Sequence, residues 1–505
     1  MKQQASPGLS LQSLGHLNYL HNVLAQPLGS WEGFYTPQSP SMNFALRYQL
    51  AFGAYAVAAM AQLTPAYRAP YQEALKGAID KMLDVASWGY WHVASPSAGG
   101  ESPSLANSGH VALLLSPHAT RQTSGPPSDP IARDNLQYSG HLGTMLGLYE
   151  KVSGDCSYDS PFSLNDPDSG VSFSYTYEQV AARIHDQMKG SRFGGVCCET
   201  GIAYVPCNNH ALASNALHDA LRGTSFSGAN SRWLRSVRSK MVLHGPTVRG
   251  IFSVCYVKDL GAGAPVAFNF TDAWGLAFML PFDRQLVRRL YPKFRRRLTR
   301  AGREGSYLSS SPLSEKVEIS DEPINTGFAL IAARGLEDSN LARSIERYAA
   351  SAFEATWEGP RLFYRGAPRT LHATALYALA AAIEPGGDNF VRLFNQAPDP
   401  ATTEQPYLAH VSDATGRVGV SQAQYHAQSR TLEVALRQVA DPTTLQSARP
   451  LETTLTLANV KSHPHITVGG VPLPEENYPT HADGTVRVAL TVDPQGETSF
   501  ASRFD

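Results

Sequence analysis

The sequence predicts a mostly α protein: an (α/α) barrel or toroid of helical hairpins, followed by a small antiparallel β-sandwich. Three observations predict it. Up to about residue 383, apolar residues recur at helical spacing in one segment after another, joined by Gly/Pro/Ser-rich loops. From about residue 402 the pattern changes to alternation. Between the two regions, Glu384-Pro-Gly-Gly-Asp388 and Ala397-Pro-Asp-Pro-Ala401 punctuate the chain. The expected domains are residues 1–395 and 396–505.

The elements follow in order. Residues 1–40 are rich in Pro, Ser and Gly and are expected to wrap the surface. Residues 42–63 read as a helix, with Leu46, Leu50, Tyr55 and Ala59 near one face and Thr64-Pro65 as its end. Residues 71–87 make the second helix, closed by Trp88-Gly-Tyr-Trp91. A long connection follows, with a short helix expected at 107–115. Residues 134–152 open on an Asp cap and stop before Gly154. Residues 155–175 read as loop. Helices are expected at 177–189, 211–222, 233–242, 272–280, 284–300, 324–334, 341–356 and 371–383. No strict repeat period forces a solenoid. Helix pairs with long loops at one end suit a toroid around a ligand cavity. In the tail, residues 431–438 place Leu432, Val434 and Leu436 on one face, and 453–457 and 486–492 alternate likewise.

Composition narrows the function. The chain has 505 residues, 43% hydrophobic, and a net charge of -1. No nucleic-acid groove is expected from that balance. The basic run at 293–300 reads as a solvated helix face. Five cysteines do not make a disulfide scaffold in so long a chain. The N-terminus lacks an apolar signal core, and no stretch approaches the ~18 apolar residues of a membrane span. The expectation is a cytoplasmic protein with reduced thiols and no membrane span, with room for a homo-oligomer. The sequon Asn269-Phe-Thr271 has aromatic neighbours that suggest burial and argue against its use.

The chemistry centres on residues 194–210, which hold Cys197, Cys198 and Cys207, with Glu199 after one thiol and Asn208, Asn209 and His210 after another. The glycines and the proline suggest a loop. A thiol has an unperturbed pKa of ~8.5, and a nearby charge can make it a proton donor or a thiolate. Buried packing, a disulfide or a metal site are the alternatives. Upstream, Tyr48 and His141 stand in apolar helices, His141 beside Gly140. With Phe270, Trp274 and Phe278 they could enclose one apolar small-molecule site. His463-Pro-His465 in the tail reads as two surface histidines rather than a metal pair.

Several motifs stand in a recognisable order: Arg47-Tyr48-Gln49-Leu50, Thr64-Pro65-Ala66-Tyr67-Arg68, Trp88-Gly-Tyr-Trp91, Arg133-Asp134-Asn135 with Tyr138-Ser139-Gly140-His141, and Cys198-Glu199-x-Gly201 with Cys207. Together they resemble the linalool dehydratase-isomerase family, from residue 42 to about 390, leaving out the β-rich tail. The resemblance implies an α/α-barrel and cofactor-free addition or removal of water on a terpene alcohol, with allylic rearrangement. It implies that Cys198 and Cys207 are the acid/base thiols and that His141 and Tyr48 bind the hydroxyl or relay protons. Tyr67 would line that polar corner, and Gln137, Tyr204 and Trp274 the pocket wall; Glu199 joins them as a substrate contact. Two departures matter. Gln137 is polar where a methionine-like residue is expected. The functional aspartate before the Arg-Tyr-Gln element is missing, and Asn43 stands nearest its place; an amide is no general acid or base. The implied activity is dehydration, isomerisation or cyclisation of a hydrophobic terpenoid or polyketide-like alcohol, with no metal or organic cofactor.

Two other classes compete. A carbohydrate-active α/α-toroid would draw on Tyr48, His141, Asn135 and Glu199, with Trp88 and Trp91 stacking sugars. A binding protein that kept the fold would explain the missing aspartate.

Overall fold

The computed structural model describes residues 8–35, 44–94, 128–198, 201–245, 250–310, 321–398, 404–481 and 483–504. The expected helix at 107–115 lies outside the described residues, as do Asn43 and Glu199. The chain is mostly helical, with separate small antiparallel sheets.

The first helix, α1 (Leu11–Leu24), corrects the expectation that residues 1–40 only wrap the surface. Ser10 caps it by accepting from the Ser13 backbone N–H at 3.1 Å. Leu14, Leu17, Leu20 and Leu24 form its buried stripe. Composition averaged over the segment hid that spacing. Next comes α2 (Phe44–Ala61), whose side chains from Leu46 to Met60 are all buried. A mostly apolar helix buried on every side, Arg47 and Gln49 included, belongs in the interior of a protein.

Around it stand α3 (Ala69–Met82), α4 (Leu136–Ser153), α5 (Tyr177–Gly190), α6 (Val205–Arg222), α7 (Asn269–Met279), α8 (Arg284–Arg295), α9 (Glu322–Gly335), α10 (Ser339–Ala352), α11 (Thr370–Ala381) and α12 (Asp388–Asn395). Packing runs from α2 to α4, α6, α7, α9 and α11, and α11 returns to α2. Outside this circuit, α3 lies on α2 and α4, α5 on α4 and α6, α8 on α7, α10 on α9, and α1 on α11.

Neighbours in the circuit run the same way where their register can be followed. Along α4, Gly140, Gly143 and Gly147 meet Ala211, Ser214 and Leu217 of α6 in turn. A Cβ at Gly143 would sit 2.3 Å from Ser214 Oγ, so this close crossing needs glycine. Between α7 and α9, Trp274 meets Phe328 and Leu280 meets Gly335. At the C-terminal ends, α12 fills the middle, with Phe390 5.7 Å and Phe394 6.4 Å from Phe278. The expected punctuation at 384–388 therefore leads into a helix.

Other boundaries moved for local reasons. The hairpin Phe162–Asp166 and Val171–Tyr175 occupies the expected loop. The helix expected to reach 356 ends at Ala352, where a second hairpin, Ala355–Glu358 and Arg361–Tyr364, begins. The helix expected over 233–242 is Asn230–Ser236 followed by a π-turn, Val237–Met241. The Asn269 amide donates to the Ser309 carbonyl at 2.6 Å and Thr271 is buried, so the sequon is a packing element.

The tail holds β1 (Tyr407–Asp413), β2 (Val418–His426), β3 (Thr431–Gln438), β4 (Leu451–Ala458), β5 (Pro464–Val468), β6 (Val471–Pro472), β7 (Val486–Val492) and β8 (Thr498–Phe504). They form two sheets, β1-β4-β7 and β2-β3-β8-β5-β6, with every pair antiparallel. Leu432, Val434 and Leu436 face the core between them, together with Leu455, Val488 and Phe500. The segment after α2 enters this region: the Ala66 N–H donates to Ala423 O at 3.1 Å, and Leu408 N–H to Ala66 O at 2.8 Å. Among the described residues, no helix is long and apolar enough to cross a membrane.

Candidate active site

The residues singled out in sequence gather at one end of the helical circuit. Tyr48 is the fifth residue of α2, Gln137 and His141 the second and sixth of α4, Cys207 and His210 the third and sixth of α6, and Trp274 the sixth of α7. His372 is the third residue of α11 and Phe328 the seventh of α9. All lie in the first two turns of their helices. The positive ends of the helix dipoles therefore lie around the cluster.

Local structure sets each position. Pro206 opens α6, where its missing N–H costs nothing, so Cys207 and His210 are helical rather than in the expected loop. Asn208 ties the loop that carries Cys198 to this helix. Its side chain accepts from the Val196 N–H at 2.9 Å and donates to Val196 O at 3.0 Å, which holds Cys198 beside α6. Asp134 and Asn135, just before α4, have left-handed backbones with φ of 54° and 52°. Asn135 is held by the Tyr90 hydroxyl, which donates to its Oδ1, and by its own bond to Pro130 O at 2.9 Å.

Tyr48 is the hub. Its hydroxyl donates to Gln137 Oε1 at 3.3 Å and accepts from Arg47 Nη2 at 3.2 Å. Its ring stands edge-on to His141 at 5.4 Å and to Trp274 at 5.3 Å. Burial pushes the phenol well above its ordinary range; Arg47 opposes this, and the thiols of Cys207 and Cys198 lie close enough to add to it. Both thiols are buried. All five cysteines are free, so a disulfide plays no part. Among the described residues, no group of three His, Cys, Asp or Glu is placed to hold a metal ion.

The histidines are neutral. His141 Nδ1 meets the Tyr55 hydroxyl at 2.8 Å. Burial drives its pKa well below the ordinary value, with His210, Arg47 and His372 adding. The His210 ring lies 4.0 Å from it and is lowered to about 3 by burial. His372 stacks on Phe52 at 5.1 Å and also falls to about 3, through burial and then Arg369. His141 Nε2, His210 Nδ1 and His372 Nε2 are buried without a hydrogen-bond partner. An unperturbed imidazole titrates near neutrality; burial moves His141 away from that range and disfavours its cationic form.

The remaining candidates divide. Trp274 belongs to the cluster and stacks on Phe328 at 5.4 Å. Tyr204 is half-buried at the cap of α6, one turn before Cys207, with its carbonyl accepting from Asn208. Tyr67 is elsewhere. It follows the opposite end of α2, about 20 Å along the helix axis from Tyr48, and its backbone bridges to Leu408. Thr64-Pro65 turns the chain towards the strands, which carries Tyr67 away. Cys197 points to an outer groove with Asp134 and Lys258, and burial, then Asp134, pushes it up to about 12. Trp88 and Trp91 are buried core, and the Trp88 indole donates to Leu83 O at 3.0 Å, so neither is a sugar platform.

His210 and His372 were not picked out as site residues, although each is a polar residue at a buried position of an apolar helix, as His141 is. That repeated placement was the available signal.

Among the described residues, a phenol, an amide, neutral imidazoles and the Cys207 thiol on helix N-termini, with the Cys198 thiol beside them, gather at one place within a mostly helical protein. The family model for linalool dehydratase/isomerase matches residues 47–370. The chain belongs to that family. Solved structures that this chain matches include a glycosyl hydrolase family 88 protein from Bacteroides vulgatus, at 12% identity and a TM-score of 0.40, covering 75% of this chain and 98% of that one. Another is a GH127 β-L-arabinofuranosidase from Geobacillus stearothermophilus, at 10% identity and a TM-score of 0.34, covering 100% of this chain and 82% of that one.

Proposed function

We propose that the chain is a lyase/isomerase acting on a hydrophobic terpenoid or polyketide-like alcohol, with Cys198 and Cys207 as the acid/base pair. In this reading α2, α4, α6, α7, α9 and α11 are the inner wall of an α/α barrel in residues 1–395, and residues 396–505 are a β-sandwich domain. Two separate apolar cores, one among helices and one among strands, support the division. The observation that carries the chemistry is the contact of Tyr48 with Gln137, His141 and Trp274, on helices whose neighbour α6 carries Cys207 in its first turn, with both thiols near enough to influence the phenol.

Removing water from a tertiary or allylic alcohol requires a proton on the leaving oxygen and a base for the neighbouring C–H. One thiol donates its proton as the C–O bond breaks and water leaves. The other, as thiolate, takes the carbon's proton as the double bond forms. Tyr48, kept protonated by burial, offers its hydroxyl to the oxygen, and Gln137 fixes its direction. His141, being neutral, serves as a hydrogen-bond acceptor and not as a cation. The Trp274 face tolerates developing positive charge. A glycosidase needs two carboxyl groups flanking one bond, and the groups named around Tyr48 are of other kinds.

Product formation from a tertiary allylic terpene alcohol tests this, with Cys198→Ser and Cys207→Ser each compared with the parent chain. Each variant should lose turnover while keeping its melting temperature. Full activity in both would refute the thiol mechanism, and loss of parent activity on adding a chelator would replace it with a metal mechanism.

A further inference from the structure

One turn below Tyr48, a single ring closes the centre of the helical circuit. Phe52 is fully buried, and every other helix of the circuit brings a ring against it. His372 of α11 stacks on it at 5.1 Å, tilted by only 12°. Phe328 of α9 stands at 5.2 Å, Trp274 of α7 at 5.5 Å, His141 of α4 at 5.6 Å and His210 of α6 at 5.8 Å. A residue of α2 that touches α4, α6, α7, α9 and α11 at once lies on the axis of the circuit.

The space beneath this ring is filled. Phe278 follows Phe52 at 5.5 Å, Tyr55 meets Phe394 of α12 at 6.1 Å, and Phe390 packs on Phe278. All four are buried. The level above is different. Cys207 and Gln137 keep 4% of their surface accessible, and Trp274 and His372 keep 3%, while Phe52, His141, His210 and Tyr55 are 0% exposed. Accessible space at the candidate site therefore ends on the Phe52 layer. Tyr48 and Phe52 are four residues apart, about 6 Å along the helix axis. With carbon atoms in contact at about 3.5–4.0 Å, a carbon held at the Tyr48 hydroxyl has room beneath it for a methyl or vinyl group and not for a chain.

We propose that Phe52 is the specificity-determining floor of the site. It limits the site to alcohols whose reacting carbon lies near one end of the molecule, with the hydrocarbon body directed towards the helix N-termini. This rests on the reading of Tyr48 and the thiols as the reacting end. Phe52 carries no acid or base and selects by volume alone. The rings around it are held by different helices, so removing Phe52 leaves a space that they close only in part. That space lies directly below the reacting carbon and admits the second arm of an internal alcohol.

Two isomeric allylic alcohols of equal apolar content test this: dec-1-en-3-ol, with its hydroxyl near the chain end, and dec-6-en-5-ol, with its hydroxyl at mid-chain. Dissociation constants are measured by calorimetry on the full chain, with product formation followed in parallel. The parent should bind the first at least about tenfold more tightly, the scale on which an apolar site discriminates by a methylene or two. Phe52→Ala should narrow the ratio to about threefold or less. Phe52→Leu, which keeps part of the side-chain volume, should give an intermediate ratio and serves if Phe52→Ala fails to fold. Equal binding of both alcohols by the parent, or binding of neither, overturns the floor. A ratio unchanged in both variants assigns the limit to another residue and overturns the role of Phe52. The expected ratios with no product from either alcohol uphold the floor and refute the dehydration reading, so the two fail separately.

Discussion

The Trp274 indole N–H donates to His210 Nε2 at 2.9 Å. This bond fixes the tautomer: Nε2 is the acceptor, so the ring proton is on Nδ1. It also anchors the indole that stands edge-on to Tyr48. Trp274 thus has two separable functions, a donor to His210 and an aromatic face.

Trp274→Phe keeps the face and removes the donor. It should cost about 1–3 kcal/mol of stability, because His210 Nε2 is left buried and unmet, and keep turnover within about tenfold. Trp274→Ala should lower turnover at least a hundredfold if the face steadies positive charge. Urea unfolding and product formation measure the two effects. Equal turnover in the Phe and Ala variants would remove the aromatic face from the mechanism.

Tyr48→Phe deletes the hydroxyl that links Arg47 and Gln137. If the phenol assists proton transfer, kcat should drop by about 10²–10⁴, beside a stability loss of about 1–3 kcal/mol from the buried bonds removed. A variant within twofold of the parent would leave Tyr48 as packing.

Much of this site was legible because its residues lie in short, contiguous motifs. Tyr48, His141 and the Cys198/Cys207 pair each sit in a local pattern, and the fold brings them together. Tyr67 had an equally good local pattern and lies at the other end of α2, since a motif carries no information on which way the chain turns after Thr64-Pro65. His372 had no motif at all; it joins the cluster because α11 closes against α2, a contact over three hundred positions. Protonation was the least legible feature. The unperturbed pKa of a histidine suggests a neutral-pH relay, and only the packing of Phe52, Tyr55 and His210 around His141 reveals the opposite. Most helices followed from spacing, with α1 and α12 the exceptions, while helix ends depended on partners, as where α10 gives way to a hairpin at Ala355.

Cys197 and Cys198 are neighbours with opposite surroundings, which supplies an internal control. Cys197 belongs to the outer groove with Asp134 and Lys258. Cys197→Ala should keep turnover within about twofold, whereas Cys198→Ala should abolish it. Comparable losses in both would indicate that the loop, and not the Cys198 thiol, is what matters.

The buried histidines make a prediction about acid. His16, His210 and His372 are lowered by burial to about 4, 3 and 3, and His141 is driven well below its ordinary value. The unfolded chain binds these protons near pH 6.5, so between about pH 6.5 and 4 it holds more protons than the folded chain. Stability is therefore complete above pH 6.5 and is lost as pH falls through that window. At 1.4 kcal/mol per unit, His16, His210 and His372 each remove about 2 kcal/mol by pH 5, and the three together rival the lower end of the 5–15 kcal/mol of a typical protein, with His141 acting in the same direction. Asp321, whose carboxyl is raised by burial against the pull of Arg369, opposes this only nearer its own range. Urea midpoints at pH 7.5, 6 and 5 should fall steeply, and His372→Phe, which keeps a ring on Phe52, should reduce the slope by about one proton. A midpoint unchanged between pH 7.5 and 5 would mean that the imidazoles accept protons in the folded state, and His141 would return as a candidate acid.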